Sequence, residues 1–268
     1  MYEVILIYLA VGCLAGLLSG LFGVGGGIVI VPLLATAFEK ATLVTEDLVM
    51  VMAVATSLAS IVATSLSSVV AHQRRGAVVW SWVWRLAPGI LLGAGAGAVL
   101  AEGLPGRALK LAFALFLLYV AARLLFPARP SAAGAKHSAV VNAGAGFGIG
   151  LLSAIIGIGG GTLTVPYLVK RRLIMTQAVA SSSACGLPIA LAGALTYGYL
   201  GWNRPDLPPL SWGYIYLPAL AGVALCSSLC APLGVRLAHW LPGVALKRWF
   251  ALLLLLVSGR LLYQSWPW

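Results

Sequence analysis

Charge is what this sequence has least of. Only 9% of its 268 residues are Asp, Glu, Lys or Arg, and just six of those are acidic. A soluble domain carries about a quarter charged residues, so this set could not cover a water-facing surface. Cysteine is scarce too. Cys13, Cys185, Cys226 and Cys230 sit inside apolar segments with no His or carboxylate at ligand spacing. Small-residue helix packing accounts for them better than a zinc site, and neither a metal nor a cofactor is expected. The N-terminus, Met1-Tyr2-Glu3, is acidic where a signal peptide would be basic. No Asp or Glu falls deep within an apolar run. Cation-coupled carriers often use such carboxylates as ligands or proton relays. Their absence argues against a metal cation as substrate. It also leaves proton coupling without an obvious carrier residue, His72 being read as an interfacial histidine.

What is abundant is apolar surface, at 61% of residues. Val4–Leu21, Leu48–Ala71, Leu86–Ala101, Ala108–Phe126, Ala178–Leu200, Tyr214–Ala231 and Trp249–Leu262 approach or reach the roughly 18–25 residues that cross a bilayer. Without water in the hydrocarbon, helices must satisfy their own backbone groups. The sequence therefore predicts an all-α polytopic membrane protein. The net charge of +11 is read as membrane topology, because the basic residues cluster between apolar runs. No nucleic-acid partner is expected.

The chain is internally duplicated. Gly12–Leu34 and Gly146–Leu168 are identical at 12 of 23 positions, at an offset of 134. Downstream, Ala53-Val54-Ala55-Thr56-Ser57 echoes Ala178-Val179-Ala180-Ser181-Ser182, and Leu104-Pro105-Gly106 echoes Leu241-Pro242-Gly243. Residues 1–130 are read as a first membrane repeat and 138–268 as a second. Residues 131–137, in the polar stretch Pro127–His137, form the linker. Internal repeats are the usual construction of secondary transporters.

Each repeat opens with an apolar run, a glycine cluster and a short apolar segment. The clusters are Gly23, Gly25, Gly26 and Gly27, and then Gly157, Gly159, Gly160 and Gly161. Each glycine in a helix interior costs about 1 kcal/mol relative to Ala. With Pro32 and Pro166 as further structural helix breaks, each element is expected to be a broken hairpin whose ends lie on one side. Three spans then follow, so each repeat crosses an odd number of times and the repeats are inverted. Charge agrees. One side receives Arg74, Arg75, Arg129, Lys136, Lys170, Arg171, Arg172, Arg236, Lys247 and Arg248. The other receives Lys40, Arg107, Lys110, Arg204 and all six acidic residues. The positive-inside rule makes the linker cytoplasmic and puts both termini outside.

After each cluster a helix starts, and its first N–H groups lack intrahelical partners. The helix dipole adds partial positive charge, and glycine lets a ligand approach the backbone. Ser19 and Ser153 lie one turn before the clusters. Two such helix starts converging near the midplane would bind an anion with no buried Arg or Lys. Glycines at Gly93, Gly95 and Gly97 are read as close helix packing instead. Thr56, Ser57, Ser181 and Ser182 form a second duplicated patch. These hydroxyls could donate to an anion or bond their own helix, and both readings stand. The string around Gly23–Gly27 lacks the third glycine of a dinucleotide fingerprint. A serine hydrolase built on Ser19 or Ser153 would need a histidine within a span, and none is there, so no enzyme is expected.

At GLLSGLFGVGGGIVIVP and GLLSAIIGIGGGTLTVP the chain resembles the TauE/SafE sulfite-exporter family, also called the toluene sulfonate uptake permease family. The resemblance covers essentially the whole chain. It implies a bacterial or archaeal inner-membrane permease for small anions such as sulfite, sulfoacetate or other organosulfonates, with protons as a candidate coupling ion. It places the family's signature on Gly23, Gly25–Gly27, Pro32, Gly157, Gly159–Gly161 and Pro166. The expected partners are thus a small anion and the lipid bilayer. A carrier and an anion channel both fit the scaffold. Import or export, and the oligomeric state, are not legible.

Overall fold

The structure, a computed structural model, describes residues 2–22, 26–126, 138–237 and 243–265. The expected linker, and Gly23 and Gly25, lie outside these. Among the described residues there are ten helices. The first half holds α1 (Tyr2–Phe22), α2 (Gly27–Lys40), α3 (Glu46–Gln73), α4 (Trp80–Glu102) and α5 (Gly106–Leu125). The second holds α6 (Ala139–Ile156), α7 (Gly161–Lys170), α8 (Met175–Leu200), α9 (Leu217–Leu237) and α10 (Gly243–Ser265). A small antiparallel hairpin, β1 (Ser211–Trp212) and β2 (Ile215–Tyr216), precedes α9. The run read from Tyr214 thus begins inside this hairpin. Helices α3, α4, α6 and α8, and Leu217–Gly234 of α9, are long and apolar enough to cross a membrane. The chain is a multi-pass membrane protein.

Helices α3 and α8 form the middle. The most apolar stretch of α3 is 83% buried against 28% for α9, so α3 faces protein and α9 leaves much of its surface for lipid. The pairings repeat in a regular way. Helix α1 packs on α9 and α6 on α4, α2 packs on α3 and α7 on α8, and α3 touches α9 as α4 touches α8. Exchanging the halves turns each pairing into another.

Glycine makes the two outer pairings close. A Cβ on Gly89, Gly93 or Gly97 of α4 would strike the carbonyl of Ala143, Phe147 or Leu151 on α6, while Gly146 and Gly150 of α6 press on the Leu86 and Ile90 carbonyls. On the other seam Gly12 and Gly16 of α1 meet Val223 and Ser227 of α9, and Gly234 meets Leu17. Hydrophobic drive between helices vanishes in lipid, so such contact distances matter. Gly95 differs from its neighbours. A Cβ there would meet only the Thr196 hydroxyl, at an ordinary 3.7 Å.

The prolines do not break the helices. Helix α2 runs through Pro32 and α7 through Pro166, and the interruptions lie at the glycines alone. Each proline is the sixth residue of its helix and removes one backbone donor. Packed membrane helices tolerate this loss; the Thr36 hydroxyl donates to the Pro32 carbonyl at 2.8 Å, an ordinary bond to the carbonyl four residues earlier.

One end of the bundle gathers opposite charges. Lys110 bonds Glu39 at 2.7 Å, and Gly106 abuts the Asp47 backbone. Arg204 lies 3.3 Å from both Glu102 and Asp206, and Tyr214 donates to Glu102 at 3.0 Å. Burial holds the Tyr214 phenol above its ordinary range.

Candidate functional site

Helix α6 ends because Gly157 is left-handed, at φ 77°. Its N–H and that of Ile158 both donate to the Ser153 carbonyl at 2.9 Å. Gly160 is left-handed again, at φ 73°, and caps α7. Only glycine adopts these angles without strain. The N–H groups of Leu163 and Thr164 reach the Gly160 carbonyl at 3.1 and 2.8 Å. Those of Gly161 and Thr162, the two residues that begin the helix, have no acceptor within it. The first turn is built alike. Gly26 at φ 76° caps α2, and Val29 and Ile30 donate to its carbonyl at 3.0 and 3.1 Å.

The two turns touch. A Cβ on Gly27 would overlap the Gly157 carbonyl and come within 2.8 Å of Ile158 Cα. A Cβ on Gly157 would in turn come within 2.8 Å of the Val31 side chain and 3.0 Å of the α3 backbone at Val54. The Ser57 hydroxyl donates to the Gly157 carbonyl at 2.8 Å, fastening the second turn to the first half's central helix. Among the residues whose side chains the structure describes, no Lys, Arg, Asp or Glu is buried. Whatever positive potential this region has comes from amides and hydroxyls.

The hydroxyl patch divides by task. Thr56 and Ser181, at equivalent positions, each accept a backbone N–H from the chain just ahead of a helix: Tyr216 before α9 at 3.1 Å and Val79 before α4 at 2.9 Å. Ser57 holds Gly157, whereas its equivalent Ser182 is buried with no partner. Ser19 and Ser153 are both buried, and the Ser153 hydroxyl has no partner. Gly159 and Gly161 are buried, with the Gly159 carbonyl turned toward Gly186 of α8. The cysteines Cys226 and Cys230 both face Cys13 across the α1–α9 seam.

Comparison with known proteins decides the lineage. The family described as Sulfite exporter TauE/SafE matches residues 8–261. The chain belongs to the TauE/SafE family. Among TauE/SafE relatives, a probable membrane transporter protein of Haemophilus influenzae is 37% identical over 262 residues, covering 96% of this chain and 98% of its own. One from Xylella fastidiosa is 29% identical, with 95% and 94% covered, and YunE of Bacillus subtilis is 26% identical, with 73% and 80% covered. No solved structure matches. This TauE/SafE protein is thus a membrane transporter rather than an enzyme.

Sequence reasoning passed over one residue that the fold brings to the second turn. Thr164 is fully buried, its hydroxyl has no partner, and it lies beside Gly160 with Ser153. Repetition marks the other site residues, and Thr164 does not repeat. Its counterpart in the aligned half is Ile30. The places where the repeats disagree were the available signal.

Proposed function

We propose that this protein is a secondary transporter for a small sulfur-containing anion, such as sulfite, sulfoacetate or another organosulfonate. It works by alternating access around the two glycine turns. Two inverted repeats, each a broken hairpin plus three spans, hold those turns at the repeat interface. The membrane is a bacterial or archaeal inner membrane, with the linker cytoplasmic and both termini outside.

One observation carries the reading. The start of α2 runs into the second glycine turn, Gly27 against Gly157, in an interior where no Lys, Arg, Asp or Glu with a described side chain is buried. Amides freed at a helix start favour anions over cations. The hairpin geometry supports inversion. Tyr8 early in α1 meets Gly222, and Phe38 late in α2 stacks edge-on to Tyr216 at 5.7 Å, so both ends of the first hairpin reach the start of α9. In the second, Tyr167 late in α7 donates to Asn142 early in α6 at 2.8 Å. Arg74 and Arg75 follow α3 at one end, and Glu39 and Glu102 mark the opposite end. This separation supports a cytoplasmic linker under the positive-inside rule.

Proteoliposomes test the proposal. Labelled sulfite and methanesulfonate are expected to cross faster than into empty vesicles, with saturation and trans-stimulation. Flux equal to that of empty vesicles refutes transport of these anions. Conductance in planar bilayers without saturation would replace the carrier with a channel.

A further inference from the structure

Several hydroxyls in this bundle do what membrane hydroxyls ordinarily do, bonding the carbonyl four residues earlier. Thr36 bonds Pro32, Ser60 bonds Thr56, Thr64 bonds Ser60, Ser183 bonds Val179 and Thr196 bonds Ala192. Ser153 and Thr164 do not. Both are fully buried, and neither hydroxyl has a partner. They come from different helices, yet each oxygen stands 3.4 Å from the point where a Cβ of Gly160 would be. They therefore flank the residue that caps α7, beside the free N–H groups of its first turn. The nearest atom to that point is the terminal methyl of Ile189, the movable end of a flexible side chain. A buried hydroxyl without a partner is costly unless a ligand completes it.

Among the described residues the first half has no such pair. Position for position, Ile30 stands where Thr164 stands and Ile28 where Thr162 stands. Both isoleucines are buried in the apolar core.

We infer that anion recognition is one-sided: the Ser153 and Thr164 hydroxyls, with the amides that open α7, form the oxyanion-binding subsite, and the first turn serves as its apolar wall. Each chain then binds one anion although the glycine turn is present twice. Ser153 and Thr164 donate to oxygens of the anion, and the Ile189 methyl rotates aside to admit it. This inference rests on the anion-transport reading and adds which turn holds the charge.

Thermal unfolding of the purified full-length protein, titrated with sulfite and methanesulfonate, reads binding without transport. Wild type is expected to be stabilised, with calorimetry giving one site per chain. Ser153→Ala and Thr164→Val should each weaken apparent affinity about tenfold or more, the usual scale of one charge-assisted hydrogen bond. Thr164→Ser should restore it. Without ligand, Thr164→Val should melt at the same temperature as wild type or higher, because it deletes an unpartnered hydroxyl. The same swap at Thr36, bonded to its own helix, should leave affinity within about twofold. If wild type is stabilised but Ser153→Ala and Thr164→Val bind as tightly, the one-sided site is wrong while anion binding stands. Two sites per chain, or Ser19→Ala weakening binding as much as Ser153→Ala, overturns it equally. If neither anion stabilises wild type and flux is also absent, both readings fall together.

Discussion

At the first turn the following helix opens Gly27-Ile28-Val29-Ile30, and at the second it opens Gly161-Thr162-Leu163-Thr164. The backbones agree closely, with capping glycines at φ 76° and 73°. The surroundings do not. One helix start is lined by buried isoleucine, while the other has unpartnered hydroxyls beside it. Duplication has preserved the device that interrupts the helix and let the side chains around it diverge. Geometry and chemistry can therefore be broken separately.

The largest effect belongs to the shared geometry. Gly27→Ala drives a methyl into the other turn's backbone, and Gly157→Ala adds left-handed strain of about 1–2 kcal/mol to a clash with α3. Both should abolish monodisperse protein in size-exclusion chromatography. Gly76→Ala, also left-handed at φ 64° but with open space around it, should carry only the strain and still fold. If all three behave alike, contact between the turns is not what the glycines serve.

Next comes a pair of equivalent serines with opposite expectations. Ser57→Ala strips the Gly157 carbonyl of its donor and should destabilise by about 1–3 kcal/mol. Ser182→Ala removes a hydroxyl that has no partner and should leave the melting temperature unchanged or higher. Equal losses would contradict the division of labour between the halves.

Smaller still is the tie that closes the second hairpin. Tyr167→Phe leaves Asn142 without its donor inside the bundle and should cost about 1 kcal/mol in thermal unfolding. Smallest is an ion pair that ties the first hairpin to α5. Glu39→Gln, at a partly exposed ion pair with Lys110, should cost under about 1 kcal/mol, and high salt should shrink the difference.

Much of this was legible before any fold was known. The duplicated glycines located both interruptions, because three adjacent glycines oppose a helix whatever surrounds them. Close packing, read for Gly93, Gly95 and Gly97 together from their small-residue stretch, holds for Gly93 and Gly97, whereas Gly95 points away from that seam. The prolines misled. Their effect depends on whether neighbours can absorb one missing donor, and only packing tells that. The small hairpin before α9 was hidden in an apolar run, since Ile215 and Tyr216 look no different in a strand than in a helix. The patch Thr56, Ser57, Ser181 and Ser182 could be found but not sorted. Whether a hydroxyl caps a neighbouring segment, holds a carbonyl or stays free is a property of its partners.

The crossed pairing of α1 with α9 and α6 with α4 has a consequence for how the polypeptide is made. Helix α4 meets its mate soon after synthesis, once α6 has emerged. Helix α1, synthesised long before α9, must keep its Gly12 and Gly16 face among lipid tails until α9 arrives. Neither half is a self-sufficient unit for the insertion machinery. A polypeptide released early, after α8, would carry one sealed joint and one open one, and quality control would meet it as an unfinished clasp.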